Sequence, residues 1–337
     1  MASRELVRNI IAGNSSDRVG LWLGDPLPDT LEIYLTFFKQ PNQEEWRKSL
    51  SDDLRWLMAE RFPPYFGPDP GEAPYFPGID KSKVHANQGP LAQCEHAEQL
   101  EEYPWPDPSK IRLDSVLQAL RQTGPYYRAS GFWSPFFHHM MDLFGMETFL
   151  IKLYTHPQVV EAAMQKVCQF YYDINEQLFI AGRGLIDGFF FGNDFGTQRD
   201  ILINPNLFDQ FVMPWIRIFA DQAHRHGLQI ILHSCGSVYK VIDRFIDAGI
   251  DCLHPIQAKA YRMEAKTLAQ FREKISFMGG VDTQELLVQG TPQEVKKSVH
   301  QLIDRLGPRL IVSPSHEALL PNVPPKNVQA MVDAVFD

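Results

Sequence analysis

Short apolar segments alternate with amphipathic segments over the part of the chain that follows residue 125. The apolar segments are typical of buried strands, and the segments between them have the 3.6-residue spacing of helices. The predicted strands cover residues 126–133, 186–191, 228–232, 250–255, 275–281 and 310–312. The predicted helices cover residues 146–181 with a break at 155–157, 205–226, 238–248, 263–271, 292–306 and 325–336. This alternation indicates a parallel sheet with helical crossovers.

The first 125 residues are less regular. A short helix is predicted within residues 1–18, ending at Gly13-Asn14, and a buried strand follows at 19–23. An acidic and aromatic segment, 46–56, is predicted to be helical. Proline and glycine mark residues 62–71 as a loop, and residues 83–86 are a candidate strand.

The number of predicted strands approaches eight when two or three early strands are added to the later ones. This count favours a (β/α)8 TIM barrel in the α/β class. We expect one domain over residues 1–337, with an irregular part before residue 126 and regular βα units after it. An open doubly wound sheet is the alternative, although no GxGxxG motif opens a helix.

Residues 228–237 bring two metal-binding side chains to the end of a predicted strand. Positions i and i+2 of a strand face the same side, so His233 and Cys235 lie side by side at the C-terminal end. Sulfur and imidazole nitrogen are typical zinc ligands, and catalytic groups of barrels lie at this end. His316, which also follows a strand, is the expected third ligand. The alternative is an inert, packed thiol. Weaker candidates for the third ligand are Asp194, Gln257 and Glu317.

Other polar residues follow predicted strands. Asp194 could donate a proton or bind a cationic atom, or it could simply cap a helix or turn. Gln198 and Gln257 could hydrogen-bond a substrate or satisfy loop backbone. Gly280 could let the backbone approach a ligand, or it could belong to a plain turn. Two further candidates for substrate binding are Asp25 and Asp282, and two histidines expected on the polar surface are His138 and His139.

Composition and charge exclude several classes of partner. The net charge of −9 argues against general affinity for nucleic acid. The four cysteines form no CxxC pair, which fits a reducing compartment. The first residues contain no apolar signal core, and no apolar run is long enough to cross a bilayer. The expected location is therefore the cytoplasm, away from membranes.

Several motifs together resemble the uroporphyrinogen decarboxylase superfamily, which includes cobalamin-dependent methyltransferases. The resemblance implies a TIM barrel with its cleft at the C-terminal ends of the strands. In the methyltransferase branch, zinc is held by a His-x-Cys pair and a later cysteine. His233 and Cys235 match that pair, and His316 stands near the expected place of the missing cysteine. The motifs that carry the resemblance lie at residues 13–19, 186–198, 232–237, 247–257, 279–284 and 314–331.

The resemblance leaves three functions open. True decarboxylases of this family carry an arginine-rich segment after the first strand, whereas residues 21–30 contain two acids and no arginine. This favours a methyltransferase-like enzyme that moves a methyl group between a small molecule and a corrinoid on a partner protein. Zinc at His233, Cys235 and His316 would activate the substrate, and Asp194 would orient it or move a proton. The alternatives are a metal-free lyase that uses Asp194 and His316 to decarboxylate uroporphyrinogen, and a non-catalytic protein that binds a corrinoid or tetrapyrrole. Formation of a homodimer is a further possibility that the sequence leaves open.

Overall fold

The computed structural model describes residues 2–63, 75–79 and 89–337. Most of the loop predicted at 62–71, and all of the strand predicted at 83–86, lie outside these residues. The described strands form a nearly closed parallel barrel, which confirms the predicted fold. They are β1 (Gly20–Leu21), β2 (Leu54–Met58), β3 (Tyr127–Gly131), β4 (Gly188–Gly192), β5 (Gln229–His233), β6 (Cys252–Ile256), β7 (Ser276–Val281) and β8 (Leu310–Pro314).

The strands pair in the order β1-β8-β7-β6-β5-β4-β3-β2, so the last strand pairs with the first, and every other pair in this order is consecutive in sequence. The described parts of β1 and β2 share no ladder, and Asp53 bridges the gap between them. Its amide donates to the Leu21 carbonyl at 3.0 Å, and its carboxylate accepts from the Leu21 amide at 3.0 Å. The Arg18 guanidinium holds the same carboxylate at 2.7 and 2.8 Å. This buried ion pair therefore joins the first two strands at their amino ends.

Helices surround the barrel and begin where the sequence supplies starting signals. The helix α13 (Pro292–Leu306) is capped by Thr291, whose hydroxyl accepts from the Glu294 amide while the Glu294 carboxylate accepts from the Thr291 amide. No helix in the described part of the chain has the length and apolar character that a bilayer crossing requires. The helices are α1 (Ser3–Ala12), α2 (Pro28–Phe38), α3 (Gln43–Ser49), α4 (Asp114–Gln122), α5 (Phe136–Phe144), α6 (Met146–Thr155), α7 (Pro157–Ala181), α8 (Pro205–Leu207), α9 (Met213–Arg225), α10 (Ile242–Asp247), α11 (Ala265–Leu268), α12 (Leu286–Gln289), α13 (Pro292–Leu306) and α14 (Pro325–Phe336).

Helix α1 closes the amino end of the barrel. Its apolar face packs against the side chains inside the barrel, among them Trp22 and Phe190. The helix ends as predicted at Gly13, whose φ of 75° suits glycine. Polar contacts fix the same helix: the Ser276 hydroxyl donates to the Ile10 carbonyl at 2.9 Å. Because α1 covers this end, the open end of the barrel is the carboxyl end of the strands.

The prediction of a helix over residues 46–56 is wrong for the second half of that segment. The structure has helix α3 up to Ser49 and then strand β2 from Leu54. Ser51 has a φ of 57°, so the chain turns sharply between the two elements. The acids that follow are buried and held by arginines: Arg47 pairs with Asp52. The apolar spacing of this segment resembles a helix, but these tertiary ion pairs decide the local structure.

Candidate metal centre at the barrel mouth

The carboxyl ends of four strands bring histidine, cysteine and acid side chains together. His233 is the last residue of β5, and its register partner on β6 is His254. Cys235 follows two residues later, Asp194 follows β4, and Glu317 follows β8. Parallel strands end at one rim of the barrel, so these side chains converge although they are far apart in sequence.

The two nitrogens of the buried His233 face different partners. Nε2 lies 3.3 Å from Asp194 Oδ1 and 3.4 Å from Cys235 Sγ. Nδ1 lies 3.0 Å from Nδ1 of His254 and 3.7 Å from Glu317 Oε2. Burial lowers the pKa of His233, but the contacts with Asp194, Cys235 and Glu317 raise it well above its ordinary value. The imidazole therefore favours its doubly protonated form in this arrangement.

The Cys235 sulfur lies among groups that favour the thiolate. Burial raises the pKa of the Cys235 thiol, but hydrogen bonds with His233 and His316 lower it to below its usual range. The contact with Cys235 in turn raises the pKa of His316. Burial also raises the pKa of Asp194, but its hydrogen bonds with His233 and with the Cys235 amide lower it far more. Thiolate and carboxylate are the forms that bind metals and, for cysteine, the form that reacts.

Among the described residues, three overlapping sets of side chains could each hold a metal ion. Ligand atoms around a tetrahedral zinc ion are roughly 3.3–3.7 Å apart, and the distances from His233 Nε2 to Asp194 and Cys235 lie within this range. The ligand atoms of each set lie within 4.8 Å of one another. The sets are Asp194, His233 and Cys235; Cys235, His316 and Glu317; and His233, His254 and Glu317.

A hydrogen bond makes His316 less suited to bind a metal than the other two predicted ligands, His233 and Cys235. The Ala318 amide donates to His316 Nδ1 at 3.0 Å, so the neutral ring carries its proton on Nε2. A ring nitrogen that carries a proton cannot offer a lone pair to a metal. In the set formed by Asp194, His233 and Cys235, the described contacts of His233 Nε2 are with the other two members, so this nitrogen would give up its proton to bind a metal held between them. The set combines oxygen, nitrogen and sulfur donors, all of which zinc accepts.

Comparison with known proteins places the chain in a family. The family model described as Uroporphyrinogen decarboxylase (URO-D) matches residues 82–337, which is more than half of the chain. The chain belongs to the uroporphyrinogen decarboxylase family. A solved structure described as a methyltransferase from Methanosarcina mazei has a TM-score of 0.69 and 15% identity, covering 100% of this chain and 98% of that chain. At this identity the likeness shows the fold alone. No curated protein matches this chain.

In this member of the uroporphyrinogen decarboxylase family, the candidate metal ligands Asp194 and His233 line a cavity of about 490 Å³. The Trp133 ring forms part of its wall and lies 5.1 Å from the His233 ring, centroid to centroid. The described lining contains acids and histidines but no lysine or arginine. These residues are Asp142, Asp194 and Glu317 together with His138, His139, His233 and His316.

Two predicted substrate-binding residues, Asp25 and Gln198, are not part of the lining of this cavity. Asp25 pairs with Arg61, and its second oxygen lies 3.7 Å from Arg47. It lines a separate cavity beside β2. Gln198 is exposed, and its described hydrogen bond is made by its carbonyl, which accepts from the Tyr261 amide at 2.9 Å. Substrate contact by either residue stays a prediction.

Gln257 and Asp282 line a second cavity of about 440 Å³ that also includes His316. Gln257 Oε1 accepts from the Gly236 amide at 2.6 Å. Asp282 accepts from three amides at the start of α12, at 3.0–3.2 Å, so it also caps that helix. A Cβ atom at Gly280 would lie 2.8 Å from the Leu302 side chain of α13, so helix packing requires a glycine there, and a role in ligand approach stays a prediction.

Sequence reasoning missed three residues at the mouth. His254 contacts His233, but in the sequence it sits inside an apolar strand with no partner visible nearby. His138 was expected on the polar surface, yet its Nε2 lies 3.8 Å from Asp194 Oδ2 and its ring lines the cavity. Glu60 follows β2 and accepts from the Trp133 amide at 2.9 Å. Its position after a strand was the signal that could have identified it.

Glu60 gives a testable pH dependence of stability. Burial raises its pKa from 4.5 to about 7, against the effects of the Trp133 amide and of Arg61. The folded protein therefore binds this proton more tightly than the unfolded chain, and stability is lost as the pH rises from about 4.5 through 7. We expect the stability of Glu60→Gln relative to the native protein to rise by about 2 kcal/mol between pH 5 and pH 8.

Urea unfolding at both pH values measures this difference. Glu98→Gln is the matched control, because Glu98 is exposed on a short 3-10 helix, and its effect should not change with pH. Parallel pH profiles for the native protein and Glu60→Gln would contradict the proposed burial of a neutral carboxyl.

Proposed function

We propose that this protein is a methyltransferase-like enzyme that moves a methyl group between a small molecule and a corrinoid carried on a partner protein. The observation that carries the proposal is the convergence of Cys235 Sγ, His233 Nε2 and Asp194 Oδ1 at the barrel mouth, with separations of 3.3–3.4 Å from the imidazole. Membership of the uroporphyrinogen decarboxylase family, with a methyltransferase among the similar folds, supports it.

The charge of the mouth disfavours a tetrapyrrole with many carboxylates. The described lining of the 490 Å³ cavity carries three acids and no basic residue other than histidine. Arginines that line the separate cavity beside β2 are paired with acids, since Arg47 pairs with Asp52 and Arg55 with Glu44. A substrate that carries several carboxylates would meet like charge without compensation. A small, neutral or cationic donor fits this cavity better.

The residues that would hold zinc are Asp194, His233 and Cys235. They supply one oxygen, one nitrogen and one sulfur donor, and three protein ligands leave one position for a substrate atom. Bound there, zinc would act as a Lewis acid on the oxygen or sulfur of the substrate. This assignment replaces His316 by Asp194 in the expected ligand set, because the Ala318 amide already occupies His316 Nδ1.

His316 is then free to move a proton. Its hydrogen bond with Cys235 raises its pKa above the ordinary value. When the bond between the methyl carbon and the donor atom breaks, the electron pair stays on that oxygen or sulfur. His316, which lines both cavities at the mouth, would supply the proton that neutralises it from Nε2, the ring nitrogen that the Ala318 amide does not engage. The methyl group would pass, without that electron pair, to the Co(I) form of a corrinoid on the partner protein.

Gln257 is suited to orient the substrate. Its Oε1 is engaged by the Gly236 amide, which fixes the side chain. The remaining NH₂ group belongs to a residue that lines the same cavity as His316. An amide donor held in this way can bind an oxygen of the substrate without changing charge.

Methyl transfer to free cob(I)alamin tests the proposal directly. Purified protein with zinc is incubated with cob(I)alamin and a panel of small methoxy, methylthio and methylamino compounds, and methylcobalamin is followed by its visible absorption. Turnover should require zinc and fall on His316→Gln.

Two results would point to the alternative functions. Release of CO₂ from uroporphyrinogen, without any need for zinc, would support the decarboxylase. A cobalamin spectrum altered by binding, with no turnover of any donor, would support the non-catalytic protein.

A further inference from the structure

A buried histidine that the proposed chemistry does not use lies directly behind His233. His254 is fully buried on β6, opposite His233 in the register of the two strands. The two Nδ1 atoms are 3.0 Å apart, which is hydrogen-bond distance. A hydrogen bond between two ring nitrogens needs one N–H and one lone pair. One ring must therefore donate and the other accept, and the surroundings decide which.

The surroundings of His254 favour a neutral ring with its proton on Nε2. The Trp22 ring lies 5.3 Å away and the Phe190 ring 5.2 Å away, both in edge-to-face arrangements. Nε2 has no hydrogen-bond partner among the residues that the structure describes. The face of an aromatic ring can accept a weak hydrogen bond from an N–H group. With the proton on Nε2, the Nδ1 atom of His254 is an acceptor.

The surroundings of His233 favour a proton on its Nδ1. Glu317 Oε2 lies 3.7 Å from this nitrogen, too far for a strong hydrogen bond but close enough to favour the N–H form electrostatically. A charged ring would be costly at His254, which lies among aromatic side chains. The shared proton therefore belongs to His233, and the hydrogen bond runs from His233 to His254.

We propose that His254 is a positioning residue that accepts the Nδ1 proton of His233 and so presents the Nε2 lone pair of His233 to a metal held with Asp194 and Cys235. Metal-binding histidines commonly donate their other N–H to a neighbouring acceptor, which fixes the tautomer and the ring orientation. The usual acceptor is a carboxylate, a carbonyl or water. Here a neutral imidazole takes that place, and it adds no negative charge behind the metal.

The consequence for metal binding rests on the proposed function, but the hydrogen bond does not. The first experiment is therefore nitrogen-15 NMR of the full-length protein with labelled histidine, where His254→Asn identifies the His254 signals. We expect His254 to be neutral, with Nε2 protonated and Nδ1 unprotonated. A proton on His254 Nδ1 would overturn the proposal whether or not the protein binds zinc.

The second experiment compares zinc affinity in two variants by competition with a chromophoric chelator. His254→Leu removes the acceptor and should weaken zinc binding by about 10- to 100-fold. His254→Asn keeps an acceptor near the position of Nδ1 and should bind zinc within about fivefold of the native protein. Equal affinity of His254→Leu and the native protein would overturn the positioning role.

His224→Asn controls for the loss of a histidine as such. His224 pairs with Asp251 at the amino end of β6, away from the mouth, so its removal should leave zinc affinity unchanged. A native protein that binds no zinc, yet shows the expected His254 protonation, would reject the proposed metal centre and leave the hydrogen bond standing. The two failures are therefore distinguishable.

Discussion

Cys235→Ser is expected to bind zinc roughly 100- to 1,000-fold more weakly than the native protein. A structural zinc site contributes about 10–16 kcal/mol over four ligands, so one protein ligand accounts for about 3–4 kcal/mol, and each 1.4 kcal/mol is tenfold in affinity. The serine hydroxyl does not ionise near neutral pH and is a poor substitute for a thiolate. Chelator competition on the refolded, metal-depleted protein gives the affinity directly.

Two further variants test which side chain is the third ligand. Asp194→Asn should weaken zinc binding by at least about tenfold, because a charged oxygen donor becomes a neutral amide. His316→Gln should change the affinity by less than about threefold, since the Ala318 amide engages Nδ1 of His316. Cys94→Ser is the matched thiol control, because Cys94 is a half-buried free cysteine whose carbonyl contacts Lys152. A loss on His316→Gln as large as that on Cys235→Ser would restore His316 to the ligand set.

Asp53→Ala is expected to lower the free energy of unfolding by about 3–5 kcal/mol. The carboxylate is fully buried, and it accepts hydrogen bonds from Ser3, Arg18 and the Leu21 amide at 2.7–3.0 Å. Removing one partner of a buried ion pair leaves the remaining groups without compensation. Urea unfolding followed by tryptophan fluorescence measures the loss.

The control for this prediction is an exposed ion pair. Asp209 pairs with Arg244 on the surface, with side chains 45% and 33% exposed, so Asp209→Ala should cost less than about 1 kcal/mol. Zinc affinity should be unchanged in folded Asp53→Ala, because Asp53 lies at the amino end of the barrel. Equal losses for the two variants would show that Asp53 does not hold β1 and β2 together.

The barrel could be predicted from the sequence because the regular part of the chain repeats one local pattern. From residue 126 onwards each apolar strand is followed by an amphipathic helix, and the predicted bounds at α13 and α14 agree with the structure at both ends. The pattern failed at β2, where Trp46, Leu50 and Leu54 repeat at helical spacing. There Asp52 pairs with Arg47, five residues earlier, and Asp53 pairs with Arg18, 35 residues away, and the apolar spacing contains neither ion pair.

The candidate site was predictable where chemistry and strand position coincide. His233 and Cys235 share one strand end, so their proximity follows from local geometry alone. His254 and Glu317 join them only through the pairing of neighbouring strands and the closure of the barrel. The choice between His316 and Asp194 depends on one backbone amide, that of Ala318, whose direction the sequence does not encode in any recognisable way.

Helix α1 has a kinetic consequence for the proposed reaction. Because this helix fills the amino end of the barrel in the described part of the chain, the small molecule and a docking corrinoid domain would both approach the candidate ligands from the carboxyl end. The small molecule then has to enter before the larger partner covers the opening, and its product can leave only after that partner departs. Steady-state measurements should accordingly reveal a compulsory order of addition, with excess partner acting as an inhibitor by trapping the product inside.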